Sequence, residues 1–206
     1  MKKLPLIVTC LLLAATSYAQ TFKIDNGVSI NSLKGEDFDI FPRKIASYSM
    51  MLGLEYFQQK WYYLSSEIGY LQLGGKEGEM ADDPASGDKQ TWNYTQLNTS
   101  FRLRMGFSKS EVYIGAGPYL NLLLGSGGFE KDLYTGYTTQ RANWGSKLEA
   151  GINGIIERYK VGINCSYLLP FSAVAKSSYT AIDARSVSAI DARSVSIYLS
   201  LAYRLD

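Results

Sequence analysis

Val195-Ser196-Ile197-Tyr198-Leu199-Ser200-Leu201-Ala202-Tyr203-Arg204-Leu205 alternates strictly. Val195, Ile197, Leu199, Leu201, Tyr203 and Leu205 share one face, and Ser196, Tyr198, Ser200, Ala202 and Arg204 share the other. A period of two over eleven residues is the signature of a β-strand with unlike faces. The segment before it repeats the pattern, with Tyr159, Val161, Ile163, Cys165, Tyr167 and Leu169 opposite Lys160, Gly162, Asn164 and Ser166. Working back toward the N-terminus, the same period appears around 143–156, 112–122, 96–107, 62–70 and 47–56. A first, weaker segment runs from about Phe22 to Asn31, where Asn26 interrupts the apolar face. The reading is all-β, with eight antiparallel strands.

The connections fall into two classes. Gln58-Gln59-Lys60, Ser108-Lys109-Ser110 and Glu157-Arg158 are tight turns, whereas roughly 33–44, 74–91, 125–142 and 171–193 are long and polar. Long and short alternate along the chain, so an up-and-down meander puts all the long loops at one end. In transmembrane barrels the short turns are periplasmic and the long loops extracellular.

Alternation alone does not say which face is outside, because a soluble ligand-binding barrel shows the same period in the opposite phase. The polar face here carries many Gly and Ser residues with charges of both signs, as a narrow interior does. Aromatics collect near segment ends (Tyr48, Tyr56, Trp61, Tyr62, Trp144, Tyr159, Tyr203) in the manner of interfacial girdles. The apolar face is therefore expected to meet lipid in an eight-stranded up-and-down transmembrane β-barrel. With that phase Glu55, Glu67, Arg102, Arg104, Lys147, Glu149, Lys160 and Arg204 point into the lumen. One Arg or Lys turned outward at mid-bilayer would cost about 2–4 kcal/mol. Inside, three acids and five bases can pair, giving a structural salt-bridge core and a plugged barrel; the other reading of the same charges is an ion pathway.

The N-terminus is expected to be a signal peptide over residues 1–19, with Lys2 and Lys3, an apolar run Leu4–Ala15, and small residues in Ser17-Tyr18-Ala19. The barrel domain would then span 20–206. No later window has the roughly 20 apolar residues of a spanning helix. Cys10 would leave with the signal, so the processed chain keeps only Cys165 and forms no internal disulfide. Loss of two lysines takes the net charge from +2 to 0, which does not suit a nucleic-acid surface.

The sequence contains no histidine, which removes Ser-His-Asp, Cys-His and His-based metal sites together. Asp82-Asp83 with Glu77 and Glu79 lacks EF-hand spacing and reads as a solvated acidic loop. Gly74-Gly75 and Gly125-Ser126-Gly127-Gly128 are loop starts without a following helix, so they are not phosphate cradles. No enzymatic activity, metal or cofactor is expected. AIDARSVS at 181–188 recurs at 189–196; two copies of eight are a local duplication, expected to enlarge the last long loop without changing the phase of the final strand.

The signal ending in Ala19-Gln20, the eight-strand pattern and the Gly/Tyr-rich strands Val112-Tyr-Ile-Gly-Ala-Gly-Pro-Tyr119 and Leu148-Glu-Ala-Gly-Ile-Asn153 resemble the PorT-like outer-membrane β-barrel family of Bacteroidetes. The resemblance spans nearly the whole processed chain. It implies an outer-membrane barrel inserted by the barrel-assembly machinery. Its partners would be membrane lipid and, through the long loops, an envelope protein or extracellular ligand. The family's link to secretion makes a small pore or secretion component the other functional reading. The chain departs from the C-terminal aromatic common in proteobacterial barrels, ending Tyr203-Arg-Leu-Asp206.

Overall fold

The computed structural model describes residues 19–35, 43–76, 89–127, 137–177 and 189–205. The expected signal core with Cys10, the acidic 77–83 segment, Gly128 and the first copy of the duplication lie outside the described residues. The described residues form ten strands: β1 (Ala19–Gly35), β2 (Ile45–Tyr56), β3 (Tyr62–Lys76), β4 (Lys89–Phe107), β5 (Ser110–Gly127), β6 (Tyr137–Thr139), β7 (Ala142–Ile156), β8 (Tyr159–Pro170), β9 (Ala175–Ser177) and β10 (Ala189–Arg204). Eight long strands, β1–β5, β7, β8 and β10, pair in sequence order. β10 returns to β1 from Thr21↔Arg204 to Gly35↔Ile190, closing an antiparallel up-and-down barrel. Short β9 pairs with the start of β10, and β6 pairs with β9 at the loop end.

The phase is apolar-out around the middle of the barrel. Leu199 is 71% exposed and Ile114 62%, and Ile68, Phe101, Ile152 and Val161 face outward with them. Inward positions on the same strands hold Ser49, Ser65, Ser100, Asn164 and the charges, all buried. In water, burying polar groups while exposing large apolar ones would invert the hydrophobic driving force. In hydrocarbon the arrangement satisfies both faces, because strand hydrogen bonds close on themselves around the barrel.

Asn26 does face outward within the apolar belt, as the sequence pattern required. Its amide donates to the Tyr48 hydroxyl across the β1–β2 pair (3.0 Å), so the sheet itself satisfies the polar group. From Thr21 to Asn31 the first strand pairs with β2 without interruption, and the register shifts only before it, between Ala19 and Thr21. Phe57 and Glu157 carry the positive φ values of the tight connections, 51° and 54°, at which L-residues are strained. Aromatic pairs ring the turn end, with Trp61–Tyr62 edge-on at 4.5 Å and Tyr159–Tyr203 at 5.2 Å. Trp144 meets Phe171 edge-on at 5.6 Å near the loop end.

Large inward side chains sit over glycines on the neighbouring strand. Tyr113 lies against Gly151 and Tyr119 against Gly145, each directly opposite in register, and a Cβ on either glycine would fall within 2.8 Å of the ring. Glycines in the lumen thus act as recesses for rings.

The strands reach further toward the loops than the pattern suggested. β1 runs to Gly35, β3 to Lys76, β4 begins at Lys89 and β10 at Ala189. One expectation needs correction here: the second copy of the duplicated octapeptide is not loop but the first half of β10, paired with β1 from Ile190↔Gly35 to Ser196↔Ser29. Its alternation matches that of the strand it enters, with Ile190, Ala192, Ser194 and Ser196 inward.

Candidate functional site

The lumen is the site to which the sequence points, and it is layered along the barrel axis. The layer nearest the tight turns is ionic. Arg102 on β4 is 0% exposed and lies at its centre. Its Nε donates to Glu149 Oε1 at 2.6 Å and its Nη2 to Glu149 Oε2 at 2.8 Å, a two-pronged pair with β7. The same Nη2 donates to Glu67 Oε1 on β3 (2.6 Å), and Nη1 reaches Glu55 on β2 at 3.5 Å. A planar guanidinium with five donors suits such a junction better than a lysine ammonium. The guanidinium carbon stands 4.8 Å from the Tyr113 ring centre and 5.8 Å from that of Tyr63.

Lys147 on β7 bridges Glu67 (2.5 Å) and Glu149 (3.1 Å). Lys160 on β8 bridges Glu55 (3.0 Å) and Glu111 (3.1 Å). Arg104 pairs with Glu111 at 3.6 Å and donates to the Gln59 carbonyl at the first tight turn. Of the eight charges read from the sequence, seven therefore meet in one network. Arg204, the eighth, is half-buried beside the last tight turn, where its main-chain N–H donates to Arg158 O.

Three members were not anticipated. Lys23 pairs with Glu67 and with Asp25 (2.8 Å), and Asn164 donates to Asp25 at 3.1 Å. Glu111 joins Lys160 and Arg104 and accepts from Asn153 at 3.0 Å. Inward alternation was the signal that could have found Lys23 and Asp25, had Asn26 not masked it. Glu111 sits one residue from a turn, where a charge reads as solvated. With these three the network holds five acids, Asp25, Glu55, Glu67, Glu111 and Glu149, against five bases, Lys23, Arg102, Arg104, Lys147 and Lys160. It draws on seven of the eight barrel strands. Balance matters, because each buried charge pays a desolvation cost of several kcal/mol that only a well-placed partner offsets.

Above the ions lies a neutral polar layer. Gln96, Asn121 and Asn143 form an amide ladder across β4, β5 and β7, each step 3.0 Å. Ser29 meets Ser196 at 2.6 Å, and Asn31 donates to Ser47 at 2.6 Å.

The third layer, toward the long loops, is apolar. Leu33, Leu71, Leu73, Trp92, Leu168 and Ile190 point inward and are buried. Val174 and Ala175, beside and within β9, join them, and Trp92 Nε1 donates to Thr139 Oγ1 of β6 at 3.4 Å. On these same strand ends the outward residues are polar: Tyr70 and Gln72 both donate to Asn93 Oδ1, at 2.7 and 2.9 Å. The phase of the pattern therefore reverses along the barrel. The sequence pattern took the strands to end into polar loops near this level, and the loop end of the lumen is instead a hydrophobic plug.

No family model matches the sequence, and no curated protein matches it. Among solved structures the chain is similar to the outer membrane protein OprG from Pseudomonas aeruginosa, with 12% identity, a TM-score of 0.59, and coverage of 91% of this chain and 97% of that one. It is also similar to the outer membrane protein AlkL in DMPC lipid bilayers, with 14% identity, a TM-score of 0.52 and 90% of each chain covered. At these identities the likeness establishes the fold, an eight-stranded barrel of the outer-membrane kind.

Proposed function

We propose that this chain is a non-enzymatic outer-membrane barrel, exported by a cleaved signal peptide, whose lumen is a structural core and whose long loops do its work outside the cell. The observation that carries the reading is the fully enclosed Arg102, held by carboxylates from three other strands at the centre of the ionic layer. An ion path would have to part those pairs, and a hydrophobic plug sits above them. The tight turns would face the periplasm and the long loops the exterior, with membrane lipid, the assembly machinery and a loop-bound ligand or envelope protein as partners. Purified protein in planar bilayers should give no reproducible unitary conductance; a stable single-channel step in most insertions would overturn the plug.

A second reading, a small pore, is favoured by polar atoms in and around the ionic layer that have no protein partner among the described residues: Asp25 Oδ1, Tyr63 OH, Asn98 Nδ2, Ser100 Oγ and Asn164 Oδ1. Buried polar atoms of this kind are ordinarily met by water. Membership of the PorT-like Bacteroidetes barrels, with a part in protein secretion, is supported by the Gly/Tyr strand motifs. A deletion strain that exports all its cargo would remove that role.

A further inference from the structure

The reversal of phase marks where the hydrocarbon ends, and a basic row lies on that boundary. On β10 the residues from Val195 downward are apolar outside, whereas Arg193 and Asp191 face outward above it with Ala192 and Ile190 inside. On β1 the change falls between outward Ile30 and Ser32, and at the start of β2 between Ala46 and Lys44, the exposed residue just before the strand. Arg193 pairs in register with Ser32, and Lys44 stands one position beyond the Asn31–Ile45 pair, opposite Ser32 on the other side. Arg193 on β10, Ser32 on β1 and Lys44 at the entry to β2 therefore form a row about 10 Å wide. Lys76 follows on β3, where a main-chain bridge with Arg43 ties the two strands (3.0 and 3.3 Å).

Arg193 and Lys44 are exposed, and no described carboxylate pairs with Lys44, Lys76 or Arg193. The one described acid at this rim is Asp191, two positions further toward the loops. Directly beneath the row the sheet offers a continuous apolar face: Val195, Ile30 and Ala46, then Ile197, Val28 and Tyr48.

We propose that this face binds a phosphate-bearing, multi-acyl lipid of the outer leaflet. Its headgroup phosphate would lie between Arg193 and Lys44 over the short Ser32, with Lys76 beside it and its chains along the six residues below. Each part of the amphiphile meets its own chemistry: charge-assisted hydrogen bonds at the headgroup level and apolar surface at chain depth. A soluble anion would find only the upper half. The inference rests on the barrel lying in a bilayer with its long loops outward.

The test uses the full processed chain in phosphatidylcholine nanodiscs doped with monophosphoryl lipid A or with the same lipid dephosphorylated, and counts the lipid A retained after detergent extraction, by native mass spectrometry. Incorporation into the undoped discs as a folded, heat-modifiable barrel tests the membrane reading by itself. Wild type is expected to retain the phosphorylated lipid by tenfold or more over the dephosphorylated one. Lys44→Gln/Arg193→Gln is expected to lose about fivefold for each cation removed. Inorganic phosphate at the same concentration should displace nothing. Equal retention of the two lipids by wild type overturns the proposal even if the double variant fails to fold; so does a folded double variant with wild-type preference, or displacement by inorganic phosphate alone.

Discussion

The two ends of the barrel solve opposite problems with the same strands. Near the tight turns β3 and β4 turn Leu64, Ile68, Phe101 and Leu103 outward and enclose Glu67 and Arg102. A few residues further along, the same two strands turn Gln72 and Asn93 outward and enclose Leu71, Leu73, Trp92 and Tyr94. Nothing changes in the backbone between these stretches, since pairing runs unbroken from Tyr62↔Leu103 to Lys76↔Lys89. What changes is the surroundings of the outer face. Where it meets hydrocarbon, the polar groups go inside and must neutralise one another; where it leaves the hydrocarbon, the apolar groups go inside as in any soluble barrel.

The ionic end should be the less forgiving of the two. Arg102→Leu would leave Glu149 and Glu67 short of their main partner in an enclosed space, at a cost of about 3–5 kcal/mol. Urea titration of the barrel in lipid vesicles, followed by tryptophan fluorescence, reads this directly. The double variant Arg102→Leu/Glu149→Leu removes a charge of each sign and is expected to recover more than half of the loss. A single-variant cost below about 1 kcal/mol would mean that water screens the ions, and would move the lumen toward the pore reading.

At the apolar end the cost comes from packing. Leu71 is fully buried in the plug, and Leu71→Ala should destabilise by about 2–4 kcal/mol through lost contact and a residual void. The same titration measures it, with far-ultraviolet circular dichroism confirming that the strands persist. If Leu71→Ala costs nothing, the loop-end lumen is loosely filled, and the comparison between the two ends reduces to the ionic layer alone.

Much of this was legible in the strand pattern, and the failures have identifiable causes. Strict alternation in β8 and β10 gave strand identity, face and closure, and seven of the eight expected lumen charges do meet. Lys23 and Asp25 escaped because Asn26 broke the apolar face, and one sequence does not reveal that the Tyr48 hydroxyl on the next strand satisfies it. The apolar plug escaped for a different reason. A reader looking for greasy residues on one parity finds Leu71, Leu73, Trp92 and Tyr94 on the other, and takes the strand to have ended. Parity continued; the solvent had changed. The second octapeptide copy reads as loop on the same grounds, since Ile190 and Ala192 occupy inward positions that lower in the barrel hold Ser or charge.

The smallest expected effect comes from that duplication, and it probes how the long loops differ from the tight turns. Removing residues 181–188 or 189–196 gives the same polypeptide, so the shortened chain still carries one copy to form the start of β10. Because eight is even, every side chain of that strand keeps its face. Lys176 pairs with Ala189, so the connection between them runs over residues 177–188, twelve in all, and becomes four after the deletion, a length at which hairpins close readily. Loop closure then favours the shorter chain by about 1 kcal/mol. The expected result is a barrel with an unchanged heat-modifiable shift in migration and an equal or slightly higher urea midpoint. A comparable deletion has no counterpart at Glu157-Arg158, where two residues already make the turn and one of them is held at a φ of 54°. If the shortened chain does not fold, the first copy is holding a strand or a plug contact of its own, and the long loops at this end belong to the barrel's core.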